Sequence, residues 1–179
     1  VMVCFFCYCA LESTAGLWAA SYCTLVRGID AATAASWASL FYLGITGGRF
    51  VCGFLTMKMS DRSMIRLGQC VIAAGLVLIL LGAGDGILFG GLILLGVGCA
   101  PIYPCIIHET PQNFGRALSM ALTGVQMAAA YVGNCLMPPL FGLLAQSISP
   151  ALYPWFLATL LAVMAAMSEA LHRKTAGCA

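Results

Sequence analysis

Two oppositely charged residues, Glu12 and Arg49, lie within long apolar stretches of the sequence. A carboxylate binds and releases protons, whereas a guanidinium stays charged and donates hydrogen bonds. A charge at the centre of a bilayer costs about 2.5–3.5 kcal/mol or more, so such residues usually mark a solute or ion pathway. A turn near residue 30 lies midway between the two, which places them at the same depth on antiparallel helices. We therefore expect an ion pair or a shared hydrated cavity that binds a proton or a polar solute; a static interhelical clamp is the alternative.

Aromatic and amide side chains recur beside this pair at spacings of three and four residues, which places them on the same helical faces. Three such faces can line one polar cavity, although aromatic residues also occupy ordinary helix interfaces. The predicted solute and proton pathway consists of Glu12, Trp18, Tyr22, Tyr42, Arg49, Tyr103, Gln126, Tyr131 and Asn134.

The elements that position these residues are predicted to be membrane-spanning helices. Of the 179 residues, 62% are hydrophobic and only 8% are charged, against about 25% charged in soluble domains. Continuous apolar runs favour helices over a strand barrel, and a net charge of +2 is too small for a nucleic-acid surface. Breakers and charges divide the chain into six spans, at about 1–26, 34–57, 64–83, 87–107, 117–146 and 151–170.

The placement of charged and polar residues also predicts an orientation and an internal repeat. Six of the eight basic residues flank spans on one side of the membrane and only Arg27 flanks the other, so the first side and the C-terminus are predicted to be cytoplasmic. Two spans with polar interiors followed by one lipid-like span occur twice, from opposite starting sides. This pattern indicates a 3+3 inverted-topology repeat in an all-α membrane protein.

Prolines inside the spans remove backbone donors and predict helix kinks that contribute to gating. These prolines are Pro101, Pro104, Pro138 and Pro139. Glycines four residues apart predict close helix packing, and they are Gly44 and Gly48 in one stretch and Gly82, Gly86 and Gly90 in another. The ten cysteines lie mostly in apolar runs and are interpreted as packing residues.

Three segments resemble the major facilitator superfamily. GRFVCGFLTMKMSDRSMIRLG resembles the family's loop signature, in the copy found in its C-terminal half. GVGCAPIYPCIIHETPQNFG and GVQMAAAYVGNCLMPPLFGLLAQ resemble its tenth and eleventh helices. In the first span, Tyr8-x-x-x-Glu12 with Gly16, Trp18 and Tyr22 is similar to the seventh helix of the branch that contains fucose–proton symporters.

The resemblance implies a twelve-helix fold of which residues 1–179 are the C-terminal six-helix half. The start at Val1, without an initiator Met or a leader, agrees with an absent N-terminal half. By resemblance, Gly53, Asp61, Arg62 and Arg66 form a gating loop at the cytoplasmic rim, although Lys58, Arg62 and Arg66 are equally interpreted as positive-inside anchors.

The sequence therefore predicts the C-terminal half of a secondary active transporter in the cell membrane. It is expected to move a small polar solute, with a sugar as one candidate, by alternating access and with the proton as coupling ion. A self-contained six-helix scaffold or homodimeric carrier is the alternative. An integral-membrane enzyme is less favoured because only His108 and Glu109 lie together, a pair typical of a cap or rim contact. No catalytic residue, metal or organic cofactor is predicted; the expected partners are the solute, the bilayer and the missing half.

Overall fold

The helices begin and end close to the predicted span boundaries. The computed structural model describes residues 1–82, 84–114 and 116–176, with side chains for all of these except 112–114, 116–118 and 174–176. The side chains of Arg116 and Lys174, two of the basic residues predicted on the cytoplasmic side, lie outside the described part. The helices are α1 Met2–Arg27, α2 Ala31–Leu55, α3 Asp61–Leu81, α4 Asp85–Cys99, α5 Ile102–Phe114, α6 Arg116–Ser147 and α7 Tyr153–Ala176, with a 3-10 turn at Pro150–Leu152.

Among the described residues, six segments are long and apolar enough to cross a membrane, which confirms the predicted all-helical, six-span architecture. Helices α4 and α5 together form one of them, and they are separated only by a break at Ala100 and Pro101. We number the spans one to six in chain order: α1, α2, α3, α4 with α5, α6 and α7.

Side-chain caps and left-handed glycines make the first connections short. Asp30 begins α2 by accepting hydrogen bonds from two backbone N–H groups of the first turn. The hydroxyl of Ser60 accepts one from the N–H of Ser63 at the start of α3. Gly28 and Gly82 end α1 and α3 at φ 68° and 62°, a region that residues with a Cβ rarely adopt. Because these groups satisfy the helix ends, the chain reverses direction within a few residues.

The packing of the spans has the symmetry expected of two inverted triplets. The symmetry relates span one to span four, span two to span five, and span three to span six. It therefore relates the contact of α1 with α6 to the contact of α4 with α2. It likewise relates the α3–α4 contact to the α7–α1 contact, and the α1–α2 contact to the α5–α6 contact. All of these contacts are present. Spans one and four therefore lie at the centre of the bundle.

Glycines allow the backbones of α2 and α4 to approach closely. A Cβ built on Gly44 would lie 2.6 Å from the carbonyl oxygen of Ile93, and one on Gly48 would lie equally close to a side chain of the same span. The predicted packing role of these two glycines is confirmed. For Gly86 and Gly90 it is wrong, because nothing lies within 4 Å of a Cβ built at either position.

Arg27, the one basic residue predicted on the far side of the membrane, fastens α1 to the end of α3. Its guanidinium donates to the carbonyl oxygen of Ile79 at 2.9 Å and to that of Gly82 at 3.4 Å. The last carbonyls of a helix lack partners within it, so this cation caps α3 from a neighbouring span.

Candidate functional site

Four of the predicted pathway residues converge near the start of α5. Glu12 of α1, Arg49 of α2 and Tyr131 of α6 all lie within electrostatic range of the phenol of Tyr103. We call Glu12, Arg49, Tyr103 and Tyr131 the Tyr103 cluster. It draws one side chain from each of spans one, two, four and five, so polar faces that are far apart in sequence meet at one place.

The two charged members of the Tyr103 cluster are not joined in an ion pair. Among the described residues, no salt bridge of 4.0 Å or less includes Glu12 or Arg49. Both nevertheless act electrostatically on the same buried thiol, that of Cys99. Glu12 is half-buried beside Tyr8, whose hydroxyl donates to the Cys99 carbonyl oxygen at 3.0 Å, while Arg49 is exposed. No direct ion pair joins the two residues in this conformation, and a cavity shared by them stays a prediction.

A recess extends from the Tyr103 cluster to one end of the bundle. Its inner part has a volume of about 660 Å³ and is lined by Arg49, Cys52, Gly53, Thr56, Ala100, Tyr103 and Pro104. Its outer part, of about 520 Å³, continues from Thr56 to Asp61 and His108. Gly53 and Asp61, two of the predicted gating residues, therefore border the same recess as Arg49.

Three other predicted pathway residues have side chains that are exposed or half-buried. Tyr42 is exposed and its ring packs over Gly16 of α1. Asn134 is exposed one turn along α6 from Tyr131. Trp18 is half-buried, and its indole N–H donates to the carbonyl oxygen of Pro138 at 3.1 Å. Trp18 thus connects α1 to α6.

Tyr22 and Gln126 instead point into the bundle. Tyr22 is buried and stacks on Tyr153 of α7, with ring centroids 5.0 Å apart. Gln126 is fully buried and exchanges hydrogen bonds with the hydroxyl of Thr110, at 2.9 Å from Nε2 and 3.2 Å to Oε1. In this conformation both side chains fasten helices together, so their contact with a solute stays a prediction that requires a rearrangement of the spans.

The prolines act differently in the two spans that contain them. Span four is broken at Pro101, as the sequence predicts, while Pro104 lies in the first turn of α5, where its missing N–H costs no helical hydrogen bond. Helix α6 continues without interruption through Pro138 and Pro139. Because Tyr103 is the second residue of α5, the break at Pro101 directly adjoins the Tyr103 cluster.

Ion pairs join three helices at the end where the recess opens. Asp61 of α3 lies 2.7 Å from Nδ1 of His108 on α5, and Nε of Arg62 donates to Oε1 of Glu109 at 3.2 Å. The same carboxylate oxygen lies 3.5 Å from Nδ1 of His172 on α7. We call this side of the bundle the charged end.

A second, exposed set of ion pairs surrounds Glu169 of α7. Its carboxylate accepts from Nη2 of Arg66 at 2.7 Å and lies 3.7 Å from Nε of Arg173. The predicted gating residues Asp61, Arg62 and Arg66 thus all make ion pairs at the charged end.

Sequence reasoning missed the contacts that the end of α7 makes through Glu169 and His172. Glu169, His172 and Arg173 lie three and four residues apart at the end of the last span, a spacing that places them on one helical face. That clustering is a usable signal for a contact with another basic element. The interpretation of His108 and Glu109 as rim contacts is confirmed, since both make their ion pairs at the rim.

The comparison with known families agrees with this architecture. The sequence model of the Major Facilitator Superfamily matches residues 1–175. The chain belongs to the Major Facilitator Superfamily. No curated protein and no solved structure matches it.

Membership of this superfamily makes the chain a multi-pass membrane protein of a transporter type. Major facilitator proteins consist of two six-helix halves, each built from a 3+3 inverted repeat. The exchange symmetry in the packing of this chain and its six spans are those of one such half.

We expect the ion pair of Glu109 with Arg62 to stabilise this major facilitator bundle. In Glu109→Gln, a buried carboxylate on α5 that accepts from Arg62 of α3 loses its charge, while the shape of the side chain is kept. Hydrogen bonds to charged groups contribute about 1.5–3 kcal/mol, so the melting temperature of the purified protein in detergent should fall by several degrees. Glu169→Gln, which changes an exposed carboxylate in the same way, is the control and should have a smaller effect. Equal losses in the two variants would contradict the special role of the buried carboxylate.

Proposed function

We propose that this chain is the C-terminal half of a secondary active transporter that moves a small polar solute by alternating access, with the proton as coupling ion. The observation that carries the proposal is the Tyr103 cluster. It places the guanidinium of Arg49 at a recess that leads to the charged end, and the carboxyl of Glu12 within electrostatic range of Tyr103, which lines the same recess. Among the described residues, neither charge lies within 4 Å of an opposite one.

The hydrogen-bonding groups of the site favour a solute rich in hydroxyl groups. Arg49 only donates hydrogen bonds, an ionised Glu12 only accepts them, and the phenols of Tyr103 and Tyr131 do both. A sugar, whose hydroxyls both donate and accept, matches this mixture, and aromatic rings pack well against its apolar faces. The similarity of Tyr8-x-x-x-Glu12 to the fucose–proton symporter branch supports a sugar as the first solute to test.

Glu12 is the proposed proton carrier. It is half-buried in the middle of α1, where an ionised carboxylate is costly. A site with ionised Glu12 and Arg49 has no net charge, and protonation of Glu12 leaves a single cation facing the recess. The state of Glu12 therefore changes how a solute is held, which is the condition for coupling.

The charged end is the proposed cytoplasmic gate. Lys58, Arg62, Arg66 and Arg173 all lie there, which by the positive-inside rule orients it toward the cytoplasm. Ion pairs between α3, α5 and α7 hold these helices in one arrangement, and the break at Pro101 provides a point at which span four bends. We propose that the recess opens and closes here as this half rocks against an N-terminal half.

Transport by the complete polypeptide in proteoliposomes tests the proposal. Uptake of radiolabelled fucose, other neutral sugars, organic acids and dipeptides is measured with and without an inward proton gradient. We expect one hydroxyl-rich solute to accumulate above equilibrium, and a protonophore to abolish its accumulation.

The result separates the parts of the proposal. Accumulation that is insensitive to the protonophore would overturn proton coupling, and selective uptake of dipeptides would overturn the solute class. Binding of all solutes without movement of any would overturn transport itself.

A further inference from the structure

An apolar groove lies between α2 and α3, outside the recess of the proposed transport site. Both helices pack on α4 and barely touch each other, so α4 forms its floor. The groove has a volume of about 350 Å³, within the range of about 300–1,000 Å³ seen for ligand pockets. Its walls include Leu40, Leu43, Val51, Leu67 and Val71, and glycines on all three helices deepen it.

The groove faces a different direction from the polar residues of α2. At 3.6 residues per turn, the wall residues Leu40, Leu43 and Val51 lie roughly 155° around α2 from Tyr42 and Arg49. The face of α2 that packs on α4 separates the two directions. Cys52 borders both cavities, but the walls of the groove face away from the recess, on an apolar flank of the bundle that suits a partner within the bilayer.

The dimensions of the groove fit an acyl chain that enters from the charged end. From Leu40 to Leu55 it extends for about 22 Å, and one leaflet of a hydrocarbon core is about 15 Å deep. On α3 it begins at Leu67, six residues after the helix starts at the charged end. An acyl chain of the adjoining leaflet therefore reaches most of it.

A basic residue, Lys58, lies at the end of the groove nearest the charged end, which we call the mouth of the groove. Lys58 follows the groove residue Leu55 by three positions, in a turn closed by its own N–H to the Leu55 carbonyl oxygen at 2.9 Å. Lys58 is exposed, and no described carboxylate lies within 4 Å of its ammonium group. This arrangement complements an anionic headgroup whose acyl chain lies in the groove.

We propose that the groove between α2 and α3 binds an anionic phospholipid, with an acyl chain along α4 and the phosphate at Lys58. This site is independent of the Tyr103 cluster and of the solute that the protein moves.

Photo-crosslinking in vesicles tests the lipid site. The complete polypeptide is reconstituted in phosphatidylcholine vesicles that contain a minor fraction of phosphatidylglycerol, or of phosphatidylcholine as a matched probe, with a diazirine on the acyl chain. Adducts are mapped by peptide mass spectrometry. We expect them to concentrate on residues 40–55 and 67–71, with a several-fold higher yield for phosphatidylglycerol.

Two variants distinguish the contacts of the lipid acyl chain from those of the lipid headgroup. Gly47→Leu places a side chain in the groove, where nothing lies within 4 Å of the new Cβ, so the fold is kept and adducts there should fall several-fold. Gly124→Leu, at an equally open glycine of α6, is the control and should leave them unchanged. Lys58→Gln should keep the adducts but remove the preference for phosphatidylglycerol.

Each contrary outcome overturns the proposal. Adducts spread evenly over all exposed apolar helices, or unchanged in Gly47→Leu, would show an ordinary lipid annulus. Labelling of other helices with none in the groove would show that another protein segment covers it.

Discussion

Glu12→Gln is expected to abolish proton-driven solute accumulation while leaving the protein folded. Glutamine has the size of glutamate and its amide still forms hydrogen bonds, but it does not bind and release a proton near neutral pH. Glu12 is half-buried and makes no salt bridge of 4.0 Å or less with a described residue. Its neutralisation therefore deprives no basic side chain of a directly paired carboxylate. Uptake by proteoliposomes under an imposed proton gradient should fall to the level of empty vesicles.

Exchange of labelled for unlabelled solute without a gradient should persist in this variant, because binding and rocking do not require the proton to be released. Asp85→Asn, the same removal of charge at an exposed carboxylate at the start of α4, lies outside the Tyr103 cluster and the charged end; it is the control and should retain proton-driven uptake. If Glu12→Gln accumulates solute as the unmodified protein does, Glu12 is not the proton carrier.

Gly96→Ala is expected to destabilise the bundle more than any other single methyl group added to α4. A Cβ on Gly96 would overlap the carbonyl oxygen of Phe41 in α2 and would lie 3.1 Å from the backbone nitrogen of Ile45. These neighbours are backbone atoms of a long helix and have no rotamer that relieves the overlap. Overpacking of this kind costs about 1–3 kcal/mol or more, so the melting temperature and the yield of monodisperse protein in detergent should both fall.

The matched variant for this experiment is Gly90→Ala on the same helix, where nothing lies within 4 Å of the new Cβ. Replacing a helical glycine by alanine stabilises a helix by about 0.5–1 kcal/mol, so this variant should melt at the same or a higher temperature. The two substitutions are chemically identical and are expected to have opposite signs. A Gly96→Ala variant that melts no lower than Gly90→Ala would contradict the close approach of α2 and α4.

The architecture of the chain was largely predictable because it depends on local composition. A bilayer requires every backbone group to bond within its own helix, so continuous apolar runs such as 70–83 predict α3 without knowledge of their neighbours. Asp30 and Gly28 mark the first turn in the same local way. The repeat was visible because polar and apolar spans alternate in a fixed order, and the contacts between spans have the same symmetry.

The partners of individual side chains were less predictable, because helical periodicity assigns a residue to a face but not to a neighbour. Glu12 and Arg49 are both assigned to polar faces, yet no salt bridge of 4.0 Å or less joins them. Gln126 lies on the same polar face of α6 as Asn134, but its side chain is buried and hydrogen-bonds to Thr110 on the adjoining helix. The same limit applies to glycines, since Gly48 meets α4 while Gly90 meets nothing.

The sequence by itself determined that the chain crosses the membrane six times in two related triplets, which residues carry charge inside the bilayer, and where helices start and stop, because solvation by lipid and backbone hydrogen bonding act locally. Only the tertiary structure decided that polar residues of four spans meet at Tyr103, that Glu109 and Glu169 tie α3 to α5 and α7, and that a groove opens between α2 and α3. These features depend on the distances between helices, which are set by how closely their small residues allow the backbones to pack.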